Sequence, residues 1–271
     1  MTNEVSTGRE QQASPVRFQR LAEQVADDLR RRILVGDLAH GAELPVEEEL
    51  RAQYPVSKPT LREAMRVLEA EGLVTVRRGS IGGAVVHRPA ASNVAYTLGL
   101  VLASRQVDIS DVGAALREVE PSCAAACAER TDRLTVVTPV LRDLHAQALR
   151  VVDDLVQVTT LSRRFHEAIV ELCGNESLAI LAGALESLWS THESDWAHRV
   201  IDDPNIPIQQ RLQALDDHEL LIRLIEAGDA PKARHFAAKH LHTSQTYPES
   251  QGPSIDPDAV RRSFVHTVDR T

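Results

Sequence analysis

The stretch VEEELRAQYPVSKPTLREAMRVLEAEGLVTVRRGSIGGAVV, residues 46–86, carries the reading of the fold. At its centre Ser57 is placed to cap a helix that runs to Glu71, with Pro59 in the first turn, where a missing N–H does no harm, and Gly72 ending it. Before that helix, Val46 to Gln53 reads as a short helix. Tyr54-Pro55-Val56 reads as a tight turn, because a proline disfavours helical geometry at the residue before it. After it, Leu73 to Arg77 has strand composition, Arg78 to Gly83 is glycine-rich, and Ala84-Val85-Val86 returns as a second strand. Upstream, Leu21, Val25, Leu29 and Ile33 recur at helical spacing between Gln19 and Val35, and Gly36 and His40-Gly41 mark turns. Three helices followed by a β-hairpin is the order of a winged helix-turn-helix.

On the helix opened by Ser57, Lys58, Arg62 and Arg66 follow one another at i, i+4 and i+8 and form a basic stripe. Leu61, Ala64 and Leu68 lie on a neighbouring apolar face, so one side docks and the other is free to meet DNA. A recognition helix puts its N-terminal residues at base edges, and Lys58, Thr60 and Arg62 occupy that end. The Ser57 hydroxyl and the first backbone N–H groups suit phosphate. In the hairpin, Arg77 and Arg78 precede Gly79, a narrow tip able to approach a minor groove or a phosphate. Taken singly, a basic helix face is a solvated face and a glycine hairpin is a turn. Their order and spacing together point to nucleic acid. The run Gly79 to Gly83 is not a dinucleotide motif, since it lies between two strands.

The charge distribution agrees. The net charge of −9 argues against a polyanionic partner, but residues 1–90 carry 13 basic and 13 acidic side chains, so the whole excess lies beyond them. Residues 51–88 hold seven basic and three acidic side chains, a basic patch on an acidic protein. A length of 271 residues with 43% apolar content fits two domains with cores of their own. Residues 1–15 are polar and aperiodic and read as disordered. The segment from Pro248, rich in Pro, Ser and Asp, reads as a tail outside the core. The absence of an apolar run of membrane-spanning length and of a signal peptide leads to the expectation of a cytoplasmic protein with no membrane contact. Cys123, Cys127 and Cys173 are too few for a disulfide framework and read as small buried hydrophobes; the i, i+4 spacing of the first two leaves a redox role open.

Beyond Arg88-Pro89 the pattern is helical throughout, with helices expected over 93–104, 108–130, 133–151, 154–173, 176–200, 209–227 and 231–246. Their short connections favour an antiparallel bundle, which makes the fold class mainly α. His166, His218 and His240 edge the apolar faces of three different helices. They read either as satisfied core histidines or as a shared site for a divalent metal such as zinc or nickel. A hydrolase using Glu167 or Glu219 as base is the rival from another class. His166-Glu167 and His218-Glu219 open like a zinc-protease motif, but Val170 and Ile222 stand where its second histidine belongs. A helical adaptor whose winged helix binds protein is the third possibility. Arg117 and Glu120 share the first long helix of this region, and Arg117 reads either as a clamp for a carboxylate or as one partner of a salt bridge. Asn175, after Gly174, reads as a helix cap.

The segment from Leu21 to Val86, and above all Val56-Ser57-Lys58-x-x-Leu61-Arg62-Glu63-Ala64, resembles the DNA-binding domain of the GntR family. The later helices resemble the effector domain of its FadR subfamily, the FCD domain, so the resemblance spans residues 19–246. It implies a tail at 1–15, a winged helix-turn-helix at 16–88, an all-helical ligand-binding and dimerisation domain at 89–247 and a tail at 248–271. It implies a ligand-responsive transcription repressor, not an enzyme, which binds double-stranded DNA and a small carboxylate or acyl-type effector. Ser57, Lys58, Thr60 and Arg62 fall on its DNA contacts, and Arg78 with Gly79 on the wing tip. His166, His218 and His240 fall on its metal-binding histidines, with Ser162 where a fourth, acidic or amide ligand is usual, and Arg117 falls on an arginine of the effector pocket. Two further departures are Glu48, where an arginine is usual, and His40, where a proline is usual. A homodimer is expected, because one recognition helix reads too few base pairs and two related by a two-fold axis read a palindrome.

Overall fold

The computed structural model describes residues 15–77, 83–89, 91–200, 208–249 and 255. The chain divides after Pro89 into two compact units.

In the first unit, α1 (Pro15–Val35), α2 (Glu47–Gln53) and α3 (Lys58–Ala70) precede a hairpin of β1 (Val74–Arg77) and β2 (Gly83–Val86). The strands pair antiparallel, with Val74 opposite Val86 and Arg77 opposite Gly83. The apolar stripes foreseen on α1 and α3 meet: Leu29, Ile33, Leu61, Ala64, Leu68 and Val86 are all buried in one core. Gly72 stops α3 in the left-handed conformation at φ +71°, and Leu73 N–H closes back on the Leu68 carbonyl at 2.9 Å. That turn needs glycine, and it aims the chain directly into β1. His40 does more than fill a turn, since its Nδ1 accepts the Arg88 N–H at 3.1 Å. Because Leu68 is fully buried, Leu68→Ala is expected to cost about 2–5 kcal/mol and to lower the denaturant midpoint of this unit. Tryptophan fluorescence would miss the change, since both tryptophans, Trp189 and Trp196, lie in the second unit. Circular dichroism is the measurement that checks it.

The second unit holds α4 (Ala91–Ser104), α5 (Ile109–Glu129), α6 (Arg133–Val136), α7 (Thr138–Arg150), α8 (Leu155–Glu171), α9 (Glu176–Arg199), α10 (Ile208–Ala227) and α11 (Ala230–Glu249). Helix α5 is central and packs against α8, α9, α10 and α11. Cys123 and Cys127 on α5 share a core with Leu141, Phe165, Ile169 and Ile222 from three other helices. The segment 133–151, expected as one helix, is broken at Val137. Pro139 supplies the reason, as it has no N–H to return to the carbonyl four residues earlier. The tail from Pro248 also departs from expectation. Helix α11 continues to Glu249, and Ile255 is buried against Ile109, Leu116, Leu188 and Trp189. Ile255, between Ser254 and Asp256, docks because that cluster offers it an apolar seat, a tertiary effect with no local signature. Among the described residues no helix is long and apolar enough to cross a membrane.

Candidate DNA-binding face and histidine cavity

Ser57 caps α3 as its position requires, accepting the Thr60 N–H at 3.3 Å. Thr60 departs from expectation: only 2% of it is exposed, and its hydroxyl lies 2.7 Å from that of Ser57. Its side chain completes the cap instead of facing outward, because position 60 falls on the inner side of the first turn beside Leu61. Lys58, Arg62 and Arg66 all project outward from α3, and Arg77 projects outward from β1. Arg78 and Gly79 lie outside the described residues.

Sequence reasoning missed the acidic partners of this face. Glu47, the first residue of α2, accepts from Lys58 Nζ at 2.9 Å and from Arg62 Nε at 3.3 Å. Glu63 holds Arg66 at 3.2 Å and Glu43 holds Arg77 at 2.7 Å. The hydrogen bond from Lys58, followed by the pull of Arg62, keeps the Glu47 carboxyl below the usual carboxylate range, so it is a charged partner at neutral pH.

In the second unit, α8, α9, α10 and α11 enclose a cavity of about 920 Å³. His166 from α8, His218 from α10 and His240 from α11 line it, and one ring nitrogen of each lies within 4.8 Å of the others. The Nε2 atoms of His166 and His218 are 3.3 Å apart. Phe165 stacks on His218 at 4.1 Å between centroids and fixes that ring from behind. His166 Nδ1 is 2.5 Å from Glu120 on α5, and His240 Nδ1 is 3.1 Å from Asp217 on α10. While His218 Nδ1 has no hydrogen-bond partner, the Nδ1–H of His166 and of His240 is donated to a carboxylate, and the Nε2 lone pairs of these two rings are left free. This is the support that metal-bound imidazoles ordinarily receive.

The residues present fit a divalent metal. His240 Nε2 is buried without a hydrogen-bond partner, an expensive arrangement for a nitrogen with nothing to bind. Tetrahedral coordination at ordinary metal–nitrogen lengths needs nitrogens about 3.3–3.5 Å apart, and the Nε2 atoms of His166 and His218 stand at 3.3 Å. Ser162 lines the same cavity, and a neutral hydroxyl is a weak ligand that leaves a position open. Burial, aided by Arg163 and the neighbouring imidazoles, holds His166 and His218 well below the usual histidine range. Protons therefore compete poorly for these nitrogens. Metal loaded at neutral pH is expected to stay bound through 6.5, the ordinary histidine value, with half released only below it; dye-detected release across an acid titration checks this.

Arg163 is the cavity's buried guanidinium, and two carboxylates already hold it: Glu193 at 2.5 Å and Glu186 at 3.5 Å. Burial works against its charge, but Glu193, Glu186 and Glu120 outweigh that and keep it protonated. The same burial raises all three glutamates. Arg117 is not among the residues lining this cavity. It donates to Gln245 Oε1 at 2.8 Å and lines a smaller recess with His235, Lys239 and His242, of which His242 also borders the main cavity. The hydrolase bases are absent from the cavity lining too. Glu167 is half-buried, and desolvation pushes it up to about 7, while Glu219 is engaged by Arg223 at 2.8 Å and Arg142 at 3.5 Å. Asn175 caps α9 by accepting the Leu178 N–H at 3.1 Å. All three cysteines are free and buried, and burial pushes the Cys127 thiol up to about 12, far from the reactive thiolate range.

Comparison with known proteins bears on both units. The family described as "Bacterial regulatory proteins, gntR family" matches residues 21–85, and the "FCD domain" matches residues 111–243. The chain belongs to the GntR family and carries an FCD domain. GntR regulators of this kind bind DNA in response to a ligand and are not enzymes. Relatives of this GntR chain include the HTH-type transcriptional repressor NanR of Salmonella newport (strain SL254), 26% identical over 243 residues, which span 88% of this chain and 89% of that protein. NanR of Salmonella typhimurium is also 26% identical, over 244 residues and 88% of each chain. Among solved structures, Streptococcus agalactiae GntR superposes with a TM-score of 0.63 at 23% identity, covering 82% of this chain and 98% of its own, which supports the GntR fold.

Proposed function

We propose that this protein is a metal-dependent transcription repressor that binds a palindromic operator as a homodimer and releases it when a small carboxylate enters the histidine cavity. The cavity carries the reading. Two guanidiniums line it: Arg163, already paired with Glu193 and Glu186, and Arg211, which donates to the Val152 and Asp153 carbonyls and places a positive charge on the cavity wall. His166, His218 and His240 would hold a divalent ion, which would add a second positive charge for a carboxylate on the same cavity wall as Ser162. The chemistry such an ion contributes is charge neutralisation and orientation. The protein's own groups do the rest: Glu120 and Asp217 orient two of the imidazoles, Phe165 backs the third, and Trp196 and Val158 give the cavity an apolar wall.

On the first unit, Ser57 and the start of α3 hold a phosphate, Lys58 and Arg62 reach base edges, and Arg66, Arg77, Arg78 and Gly79 complete the contact with the duplex. The relatives named as repressors support the negative sign of regulation. A cytoplasmic location follows from that role. Binding to fluorescent duplexes against salt, with small carboxylates added before and after a chelator, tests the reading. Affinity should decrease steeply with salt, and one carboxylate should release the duplex only while metal is present. A carboxylate that releases DNA equally well from metal-free protein sinks the metal dependence. Sedimentation of a monomer with and without duplex sinks the dimer.

A further inference from the structure

Every outward-facing cation nominated for DNA among the described residues is already paired with a carboxylate of the same unit. Glu63 and Glu43 hold one cation each, Arg66 and Arg77. Glu47 holds two, Lys58 and Arg62, which stand one turn apart on α3. It is also the least exposed of the three acids, at 35% against 41% for Glu63 and 71% for Glu43, because it sits between α2 and α3. We infer that Glu47 is a specificity-determining residue of the DNA-binding face, which orients Lys58 and Arg62 and penalises their use on phosphate alone. The inference rests on the reading that α3 enters the groove.

The physical argument compares two kinds of duplex. A random sequence offers these cations chiefly phosphates, which must displace a carboxylate that then remains beside them as a like charge. The gain from releasing counterions is correspondingly reduced, so sequence-independent binding is weak. At a cognate site Lys58 and Arg62 meet guanine O6 and N7, acceptors with strict directions. There a bridge from Glu47 is an asset, since both long side chains are already ordered and need not be frozen on binding. One carboxylate therefore lowers affinity for the wrong duplex more than for the right one, and it is the ratio of the two that decides occupancy among many competing sites.

The test uses the full chain with two probes: a random-sequence duplex, and the tightest duplex that the unmutated protein selects from a randomised pool. Glu47→Gln keeps the shape and removes the charge. Glu49→Gln removes the same charge from the same helix at a residue that pairs with neither Lys58 nor Arg62 among the described contacts. Glu47→Gln is expected to bind the random duplex about tenfold more tightly while the selected duplex changes by less than about threefold, and Glu49→Gln is expected to leave their ratio within about twofold. Equal changes on both duplexes, or the same loss of discrimination in Glu49→Gln, overturn the inference. Failure of the unmutated protein to bind any duplex at low salt overturns the reading of α3 itself, a result recognisably different from either.

Discussion

His218→Gln is expected to abolish stoichiometric metal binding, with affinity for zinc or nickel lowered by more than about a thousandfold. The site has three protein nitrogens, and a fourth position at Ser162 is too weak to compensate for losing one of them. Glutamine roughly conserves the volume of a ring that is 1% exposed and stacked on Phe165, whereas His218→Ala adds a void and confounds metal loss with unfolding. Elemental analysis after loading reads the effect directly. Glu120→Gln provides the graded companion, retaining an acceptor for His166 Nδ1 but not its charge, and is expected to weaken binding about ten- to a hundredfold. Loading of His218→Gln as full as that of the unmutated protein would remove the histidine centre from the account.

The double variant Lys58→Ala, Arg62→Ala is expected to lower affinity for the selected duplex on the order of 10²- to 10⁴-fold, since both heads of a dimer lose both contacts. The dependence on salt should flatten at the same time, because fewer counterions are released. Both side chains are more than half exposed, at 52% and 62%, so thermal stability should hardly move. Anisotropy titrations between about 50 and 200 mM salt measure affinity and slope together. A change of less than about threefold, in protein that melts normally, would mean that the duplex docks elsewhere.

Much of both sites was legible in the chain because it is written in local rules. Ser57 as cap, Pro59 in the first turn, Gly72 as stop and the four-residue spacing of Lys58, Arg62 and Arg66 are properties of one helix. The histidines were legible as three residues on apolar helix faces, but spacing alone left them open between core and ligand. Only their convergence, with a buried and unpartnered Nε2 on His240, favours a ligand role. Thr60 was misjudged because helical position tells which turn a residue occupies more readily than which neighbour claims its hydroxyl. Arg117 was carried to the effector cavity by resemblance, and the structure sets it against Gln245, 128 residues away in sequence.

By itself, then, the amino-acid order determined most of the elements, the winged arrangement, the helical second half and which side chains carry basic or metal-ligating chemistry, since periodicity, caps and side-chain chemistry are local. Tertiary structure alone decided which polar groups meet: Glu47 with Lys58 and Arg62, Glu120 with His166, Asp217 with His240, Arg163 with Glu193. Ion pairs and buried hydrogen bonds act over a few ångströms of space, and residues far apart along a chain acquire such neighbours only when packing brings their helices together.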